Sequence, residues 1–197
     1  MGVVCNHASV DQRFRHVVDR FAHGEAGATL AGIFGPQHGF RSDVQDNMIE
    51  TPHRSDTAWR VPVYSLYSET REPTADMLRD IDVLVVDLQD IGARIYTFIY
   101  TMANCLRAAA RHRIPVIVCD RPNPIGGVEV EGACLVHGFE SFVDQFPIPM
   151  RHGMTIGELA ALFNEHFAIG ASLEIVRMEH WRRQMYADDT GQPWVMP

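Results

Sequence analysis

Short runs of β-branched and other apolar residues alternate along the chain with longer segments whose apolar residues recur at helical spacing. The strand-like runs are GVVCN, TLAGIFG, VPVYSLY, DVLVVDL, IPVIVCD and LEIVRM, in that order. The helical spacing predicts helices near residues 10–23, 74–80 and 96–113 and over TIGELAALFNEHF. Polar residues predict a loop over residues 36–60, and proline and glycine predict another over residues 121–149.

This alternation predicts an α/β fold. Strands that alternate with helices of ten or more residues form a mostly parallel sheet, and the helices then cover both of its faces. A chain of 197 residues with 46% apolar content contains enough apolar side chains for one sizeable core. We therefore predict a single Rossmann-like α/β domain over residues 1–197, with ligands bound outside the carboxyl ends of its strands.

Composition excludes several functional classes. The net charge is −8 and the arginines are scattered, so the chain lacks the basic surface that binds nucleic acid. All 17 basic residues are arginine, which excludes a Schiff-base lysine and the lysine of a phosphate-binding P-loop. No GxGxxG segment follows a strand and opens a helix, so no dinucleotide site is predicted, and we expect no cofactor.

The cysteines and the apolar segments add two further expectations. Cys5, Cys105, Cys119 and Cys134 have no CxxC spacing, so they are predicted to be reduced thiols rather than zinc ligands or disulfides. No apolar stretch approaches the length of about 18 residues that a membrane span needs, and no signal segment opens the chain.

Polar side chains gather where the predicted strands end. The set comprises Asn6, His7, Gln37, His38, Asp87, Gln89, Asp90, Asp120, Arg121 and Asn123. Helix capping and tight turns explain any one of these positions, and for the aspartates this alternative stays open. Capping needs only one small polar side chain, however, so the accompanying histidines and arginine favour a binding or catalytic edge.

Several blocks of the sequence resemble one known family. IFGPQHGF, VPVYSLY, VDLQDIGARIYTFIYTM, DRPNPIGG, VEG, PIPMRHGMTIGELA and WRRQMYADDTGQPWV occur in the order typical of the N-terminal, Rossmann-like half of the NamZ-type exo-β-N-acetylmuramidases, formerly a domain of unknown function. The resemblance implies release of N-acetylmuramic acid from the non-reducing end of peptidoglycan fragments. It also implies a cleft shared with a C-terminal domain, which is absent from this chain, and an extracytoplasmic or recycling role in bacterial cell-wall turnover.

Glycosidic cleavage commonly uses two carboxyl groups, and this requirement gives the candidate residues their roles. The candidate catalytic residues are Asp90, Asp87, Glu131 and His38. The candidate substrate-binding residues are Asn6, Gln37, Gln89, Arg94, Tyr96, Arg121, Asn123, Arg151 and His152. The three arginines suit the lactyl carboxylate of muramic acid, because a guanidinium binds a carboxylate through two parallel hydrogen bonds. We expect Asp90 to face the ligand, and Asp87 to lie deeper and orient Arg94 or a backbone turn.

Gln37 departs from the family pattern. Many members have glutamate at this position of the Gly-Pro-x-His-Gly turn, and glutamine cannot transfer a proton at neutral pH. Either another carboxylate replaces it, or this member has lost or changed the reaction. The eligible carboxylates are Asp46, Glu50, Asp87, Asp90 and Glu131.

Two alternatives to a glycosidase stay open. One is a non-catalytic sugar-binding or assembly domain of the same family. The other is a metal-dependent hydrolase built on His7, His38, His152 and an aspartate, although no HxH or HxxxH pair supports it and we expect no metal. The expected partners are muramic-acid-terminated peptidoglycan fragments, and a face left uncovered by the C-terminal domain would favour self-association.

Overall fold

The structure is a computed structural model that describes residues 1–25, 27–41, 53–56 and 58–197. Within these residues, seven strands form one sheet in the order β3-β4-β2-β1-β5-β6-β7. The strands are β1 Gly2–Cys5, β2 Gly32–Gly35, β3 Arg54–Ser55, β4 Pro62–Ser65, β5 Leu84–Asp87, β6 Val116–Cys119 and β7 Leu173–Val176. All neighbouring pairs are parallel except β3 and β4, which are antiparallel. The prediction of a mostly parallel, Rossmann-like sheet is therefore confirmed.

Helices cover both faces of the sheet. They are α1 Val17–Ala22, α2 Ala75–Leu78, α3 Phe98–His112 and α4 Ile156–Ala161, which continues as a π-helical turn Leu162–His166. A 3₁₀ turn, Ala187–Thr190, follows β7. No helix in the described part of the chain is long and apolar enough to cross a membrane.

Alternate residues of the central strands enter two separate cores. Val4 of β1 and Val86 of β5 pack with α2, α3 and α4 on one face. Val3 and Val85 pack with α1 on the other face. All four residues of β5 are buried, as expected for a parallel strand covered on both sides, so the end of this strand is held rigidly.

Two sequence predictions are wrong in detail. The predicted helix at residues 10–23 begins only at Val17, because Val10 pairs with His16 in an antiparallel bridge and Phe14 has a φ of +58°. His16 caps the shortened helix by accepting a hydrogen bond from the Val18 amide. The region predicted as a loop at residues 36–60 contains β3, whose two residues are too few to show an alternating pattern.

Candidate functional site

The carboxyl ends of the parallel strands lie along one edge of the sheet. Strand pairing places Cys5 at the end of β1 beside Asp87 at the end of β5. The residues that follow are hydrogen-bonded to one another: Asn6 Nδ2 donates to the Gln89 carbonyl at 3.0 Å, and Gln89 Nε2 donates to the Pro122 carbonyl at 3.0 Å. The structure thus brings together the segments that follow β1, β5 and β6.

The segment after β2 reaches the start of α3. Thr97 Oγ1 donates a hydrogen bond to Gln37 Oε1 at 3.1 Å. His38, the next residue, has a φ of +69°, and strained backbone of this kind clusters at functional sites. The eligible carboxylates Asp46 and Glu50 lie outside the described residues.

Asp87 forms a buried ion pair with Arg121. Arg121 Nε lies 2.5 Å from Asp87 Oδ1, and Nη2 donates to Asp87 Oδ2 at 3.1 Å and to the Val10 carbonyl at 3.2 Å. Burial of Arg121 opposes its charge, but the neighbouring carboxylate of Asp87 raises the arginine pKa above its ordinary value. Asp87 does not orient Arg94, because Arg94 Nε instead lies 2.6 Å from Asp144 Oδ1. The other branch of that expectation, that Asp87 orients a backbone turn, stays a prediction.

Asp90 lies in a buried cluster, the polar knot, formed by Asp90, Gly92, Asn123 and His152. Asp90 Oδ2 accepts a hydrogen bond from the Gly92 amide at 2.7 Å and lies 3.3 Å from His152 Nε2. The Met154 amide donates to His152 Nδ1 at 3.2 Å, so Nδ1 is unprotonated and Nε2 carries the proton that faces Asp90. Asp90 is 5% exposed and His152 is 3% exposed, and Asp90 Oδ1 has no hydrogen-bond partner among the described residues.

Asn123 closes the polar knot from the segment after β6. Its Nδ2 donates to the Met154 carbonyl at 3.0 Å, and its Oδ1 accepts from the Ile125 amide at 3.1 Å. Gly92 has a φ of +83°, and a Cβ atom at this position would lie 2.3 Å from Asn123 Oδ1. Glycine is therefore required here both by the backbone conformation and by the close approach of the asparagine.

Each of the three candidate arginines already binds a carboxylate of the same chain. Besides its ion pair, Arg94 donates from Nη1 to the carbonyls of Ala133 and Ile148, at 2.7 and 2.8 Å, and so anchors the loop between β6 and α4. Arg151 Nη1 lies 2.8 Å from Glu131 Oε2. The Glu131 side chain is 64% exposed, so this pair is far more open to solvent than the pairs of the other two arginines.

The last described residues pack against the same edge. Tyr96 Oη donates to the Pro197 carbonyl at 2.6 Å, and the imidazole of His7 is hydrogen-bonded to the Met196 carbonyl. Burial, and secondly the carboxylate of Asp90, raise the pKa of the Tyr96 hydroxyl, so this side chain is a hydrogen-bond donor at neutral pH.

A cavity of about 610 Å³, here called the Trp181 cavity, opens beside this edge. Its walls come from the ends of β5 and β6 and from the segment after β7, and they include Asp87, Asp120, Arg121, Glu179, Trp181 and Asp189. Trp181, which the sequence pattern does not indicate, also contributes to the wall. The only signal for it was its place in the block WRRQMYADDTGQPWV directly after the last predicted strand.

Within residues 1–25, 27–41, 53–56 and 58–197, no group of three or more His, Cys, Asp or Glu side chains is placed to hold a metal ion. His152, one of the histidines considered for such a site, uses Nδ1 to accept from the Met154 amide and turns Nε2 toward Asp90.

Comparisons with known proteins agree on one family. The sequence profile described as "Exo-beta-N-acetylmuramidase NamZ, N-terminal" matches residues 1–197. The "Peptidoglycan beta-N-acetylmuramidase NamZ" of Bacillus subtilis (strain 168) is 47% identical over 197 residues, which are 100% of this chain and 47% of that protein.

Two crystal structures of DUF1343 family proteins from Bacteroides fragilis have the same fold. The first has a TM-score of 0.90 and 42% identity, and the match covers 98% of this chain and 49% of the other. The second has a TM-score of 0.78 and 29% identity, with coverages of 93% and 48%. The chain thus spans about half the length of these relatives. From the profile match over residues 1–197 and the identity to its relatives, we conclude that the chain belongs to the NamZ family of exo-β-N-acetylmuramidases and corresponds to the N-terminal part of these proteins.

Proposed function

We propose that the chain is the N-terminal domain of a glycoside hydrolase that releases N-acetylmuramic acid from the non-reducing end of peptidoglycan fragments. The observation that carries the proposal is the 47% identity, over all 197 residues, to a protein named as a peptidoglycan β-N-acetylmuramidase. The polar strand-end edge supplies chemistry of the right kind, because hydrogen bonds and ion pairs position the carboxylates of Asp87 and Asp90 there, together with the hydroxyl of Tyr96.

Asp90 is the proposed catalytic or transition-state-stabilising carboxylate. The Gly92 amide binds its Oδ2, His152 Nε2 lies 3.3 Å from the same oxygen, and its Oδ1 has no hydrogen-bond partner in the described residues. Strand β5, buried on both faces, and the surrounding loops hold this carboxylate in a fixed position, which acid–base catalysis needs. His38, presented by the strained turn after β2, is the proposed second proton carrier.

Arg151 is the proposed ligand of the lactyl carboxylate. Its partner Glu131 is mostly exposed, so a substrate carboxylate competes with Glu131 for the guanidinium at a smaller desolvation cost than at a buried pair. Arg94 and Arg121 are tied to buried or half-buried carboxylates and to backbone carbonyls, and they position the loops around the site.

The C-terminal domain that accompanies this one in the family is the proposed second wall of the cleft. The loop between β6 and α4 exposes Val130, Val136 and Phe139, with relative exposures of 57%, 65% and 74%. A second domain would cover such residues, and their exposure in residues 1–197 alone would favour self-association. Sedimentation of the 197-residue chain at increasing concentration measures this, and a monomer at all concentrations contradicts it.

Hydrolysis of a chromogenic β-N-acetylmuramide tests the proposed function. We expect turnover by a chain extended to the length of the relatives, little turnover by residues 1–197 alone, and no effect of chelators. Full-rate hydrolysis by residues 1–197 would contradict the two-domain cleft. Loss of turnover on chelation would favour the metal-dependent alternative.

The second candidate function is sugar binding without catalysis. The amide of Gln37, where many family members have glutamate, favours it, as do the ion pair of Asp87 and the burial of Asp90. Binding of N-acetylmuramic acid by the extended chain, with no turnover of the chromogenic substrate, would establish this function and exclude the hydrolase.

A further inference from the structure

The Trp181 cavity lies directly beside the strand-end edge. Asp87 and Arg121, at the ends of β5 and β6, form part of its wall. Pro122 also lines it, and the Pro122 carbonyl accepts the hydrogen bond from Gln89, the residue before Asp90. The volume of about 610 Å³ lies within the range of about 300–1,000 Å³ that is typical of small-ligand sites.

The charges of the cavity wall select against an anionic ligand. Asp87, Asp120, Glu179 and Asp189 line the cavity, whereas Arg121 is the only arginine among its described lining residues. Because Arg121 is already paired with Asp87, the other three carboxylates remain uncompensated within the wall. A second anion would be repelled, while the hydroxyl groups of a neutral sugar can donate hydrogen bonds to these carboxylates.

Trp181 gives the cavity an aromatic wall that the surrounding loops hold in place. A Cβ atom on Gly127 would lie 3.1 Å from Cη2 of Trp181, so the Gly127 backbone packs closely against the indole ring. The Gly127 amide in turn donates to the carbonyl of Arg183 at 2.6 Å. The ring also borders a neighbouring cavity of about 330 Å³, and aromatic faces of this kind pack against the C–H groups of a sugar ring.

We propose that the Trp181 cavity binds a neutral sugar ring, that of the fragment on the leaving side of the bond that is cleaved. The assignment to the leaving side rests on the proposed function, whereas the binding of a neutral sugar does not. An exo-acting enzyme that removes the terminal muramic acid needs a neighbouring subsite for the rest of the fragment. The Trp181 cavity has the position, the size and the charge for it.

Titration of the 197-residue chain with N-acetylglucosamine and with N-acetylmuramic acid tests the binding. The chain contains three tryptophans, and each gives its own indole N–H signal in a two-dimensional NMR spectrum. The signal that shifts therefore shows which tryptophan lies at the occupied site. We expect N-acetylglucosamine to shift the Trp181 signal and to bind more tightly than N-acetylmuramic acid, which carries the extra carboxylate. No shift of the Trp181 signal, or tighter binding of the muramic acid, would overturn the proposal.

Substitution of Trp181 sharpens the test. Trp181→Ala should weaken N-acetylglucosamine binding at least about tenfold, and Trp181→Phe, which keeps an aromatic face and preserves packing better, should weaken it less. Trp59→Phe, beside a different cavity that Trp181 does not line, is the matched control and should leave the affinity unchanged. Equal affinity of all four proteins would overturn the proposal.

The outcome is separable from that of the proposed function. If the extended chain has no muramidase activity but N-acetylglucosamine binding depends on Trp181, the hydrolase proposal fails and the sugar site stands. If the extended chain is an active muramidase, Trp181→Ala should raise KM for a muramic-acid-terminated oligosaccharide more than for a chromogenic monosaccharide. An equal KM change for both substrates would overturn the leaving-side assignment.

Discussion

The polar knot around Asp90 and the wall of the Trp181 cavity around Asp87 start from the same strand end but differ in every other respect. Asp90 is enclosed, with its Oδ2 bound by a backbone amide and faced by an imidazole. Asp87, three positions earlier, binds a guanidinium and borders a large cavity. A strand end therefore determines where polar side chains gather, whereas loops from distant parts of the chain determine the contacts that each side chain makes.

We expect the largest loss of stability when the ion pair between Asp87 and Arg121, in the wall of the Trp181 cavity, is removed. Arg121→Met leaves the buried carboxylate of Asp87 without its partner, and removing one member of a buried ion pair costs about 3–5 kcal/mol. We expect a loss of that size in the free energy of unfolding, measured by urea denaturation. Arg79→Met, which removes an ion pair whose two side chains are 70% and 85% exposed, is the control and should change little. A similar small change in both variants would show that Asp87 does not need its arginine.

The next effect falls on the polar knot. Gly92→Ala forces a Cβ atom against Asn123 Oδ1 and Ile125 Cγ1, at 2.3 and 2.7 Å, in a left-handed backbone conformation. Overpacking and backbone strain together should lower the free energy of unfolding by about 2–4 kcal/mol. Gly138→Ala, where φ is +93° and no atom lies within 4 Å of the added Cβ, isolates the backbone contribution of about 1 kcal/mol. Equal losses in the free energy of unfolding of the two variants would show that the polar knot accommodates the added Cβ atom.

The two aspartates should respond in opposite ways to the same substitution. In the extended chain, Asp90→Asn should lower turnover at least about a hundredfold, which corresponds to about 2.7 kcal/mol in the activation barrier. The melting temperature should hardly change, because the asparagine oxygen still accepts from Gly92 and its amide group takes the place of the unpaired Oδ1. The main effect of Asp87→Asn should instead be a lower melting temperature, because the substitution weakens the ion pair with Arg121. Normal turnover by Asp90→Asn would reduce Asp90 to a turn-forming residue.

The fold was predictable because its signals are local. The run DVLVVDL is apolar enough to identify β5 as a strand buried on both faces, and the alternation with helices determines the sheet class. The start of α1 was not predictable, since it depends on the positive φ of Phe14 and on the bridge between Val10 and His16. Neither feature changes the spacing of apolar residues.

The candidate site was predictable only in part, for a related reason. The strand-end rule identified Asp87 and Asp90, but their partners come from far along the chain: Arg121 is 34 positions from Asp87, and His152 follows a later loop. Such pairings depend on tertiary packing, which no local pattern encodes. Trp181 was missed because an isolated tryptophan after a strand has no spacing that distinguishes a binding surface from a core residue.

The smallest effect concerns the pH dependence of stability at Asp120, on the wall shared by the two cavities. Burial raises the pKa of Asp120 above the ordinary value of 3.8, although hydrogen bonds from the Gly157 amide and the Thr155 side chain oppose the shift. The folded protein then binds the proton more tightly than the unfolded chain. The contribution of Asp120 to stability is therefore fully present below pH 3.8 and is lost as the pH rises through the raised pKa.

Asp120→Asn keeps the acceptor for the Gly157 amide but cannot ionise. The stability of this variant relative to the parent protein should therefore increase as the pH rises from 3.8 through the raised pKa of Asp120. Urea denaturation of both proteins at a series of pH values measures the difference. A variant that becomes less stable than the parent as the pH rises would show instead that the folded protein needs the charged carboxylate.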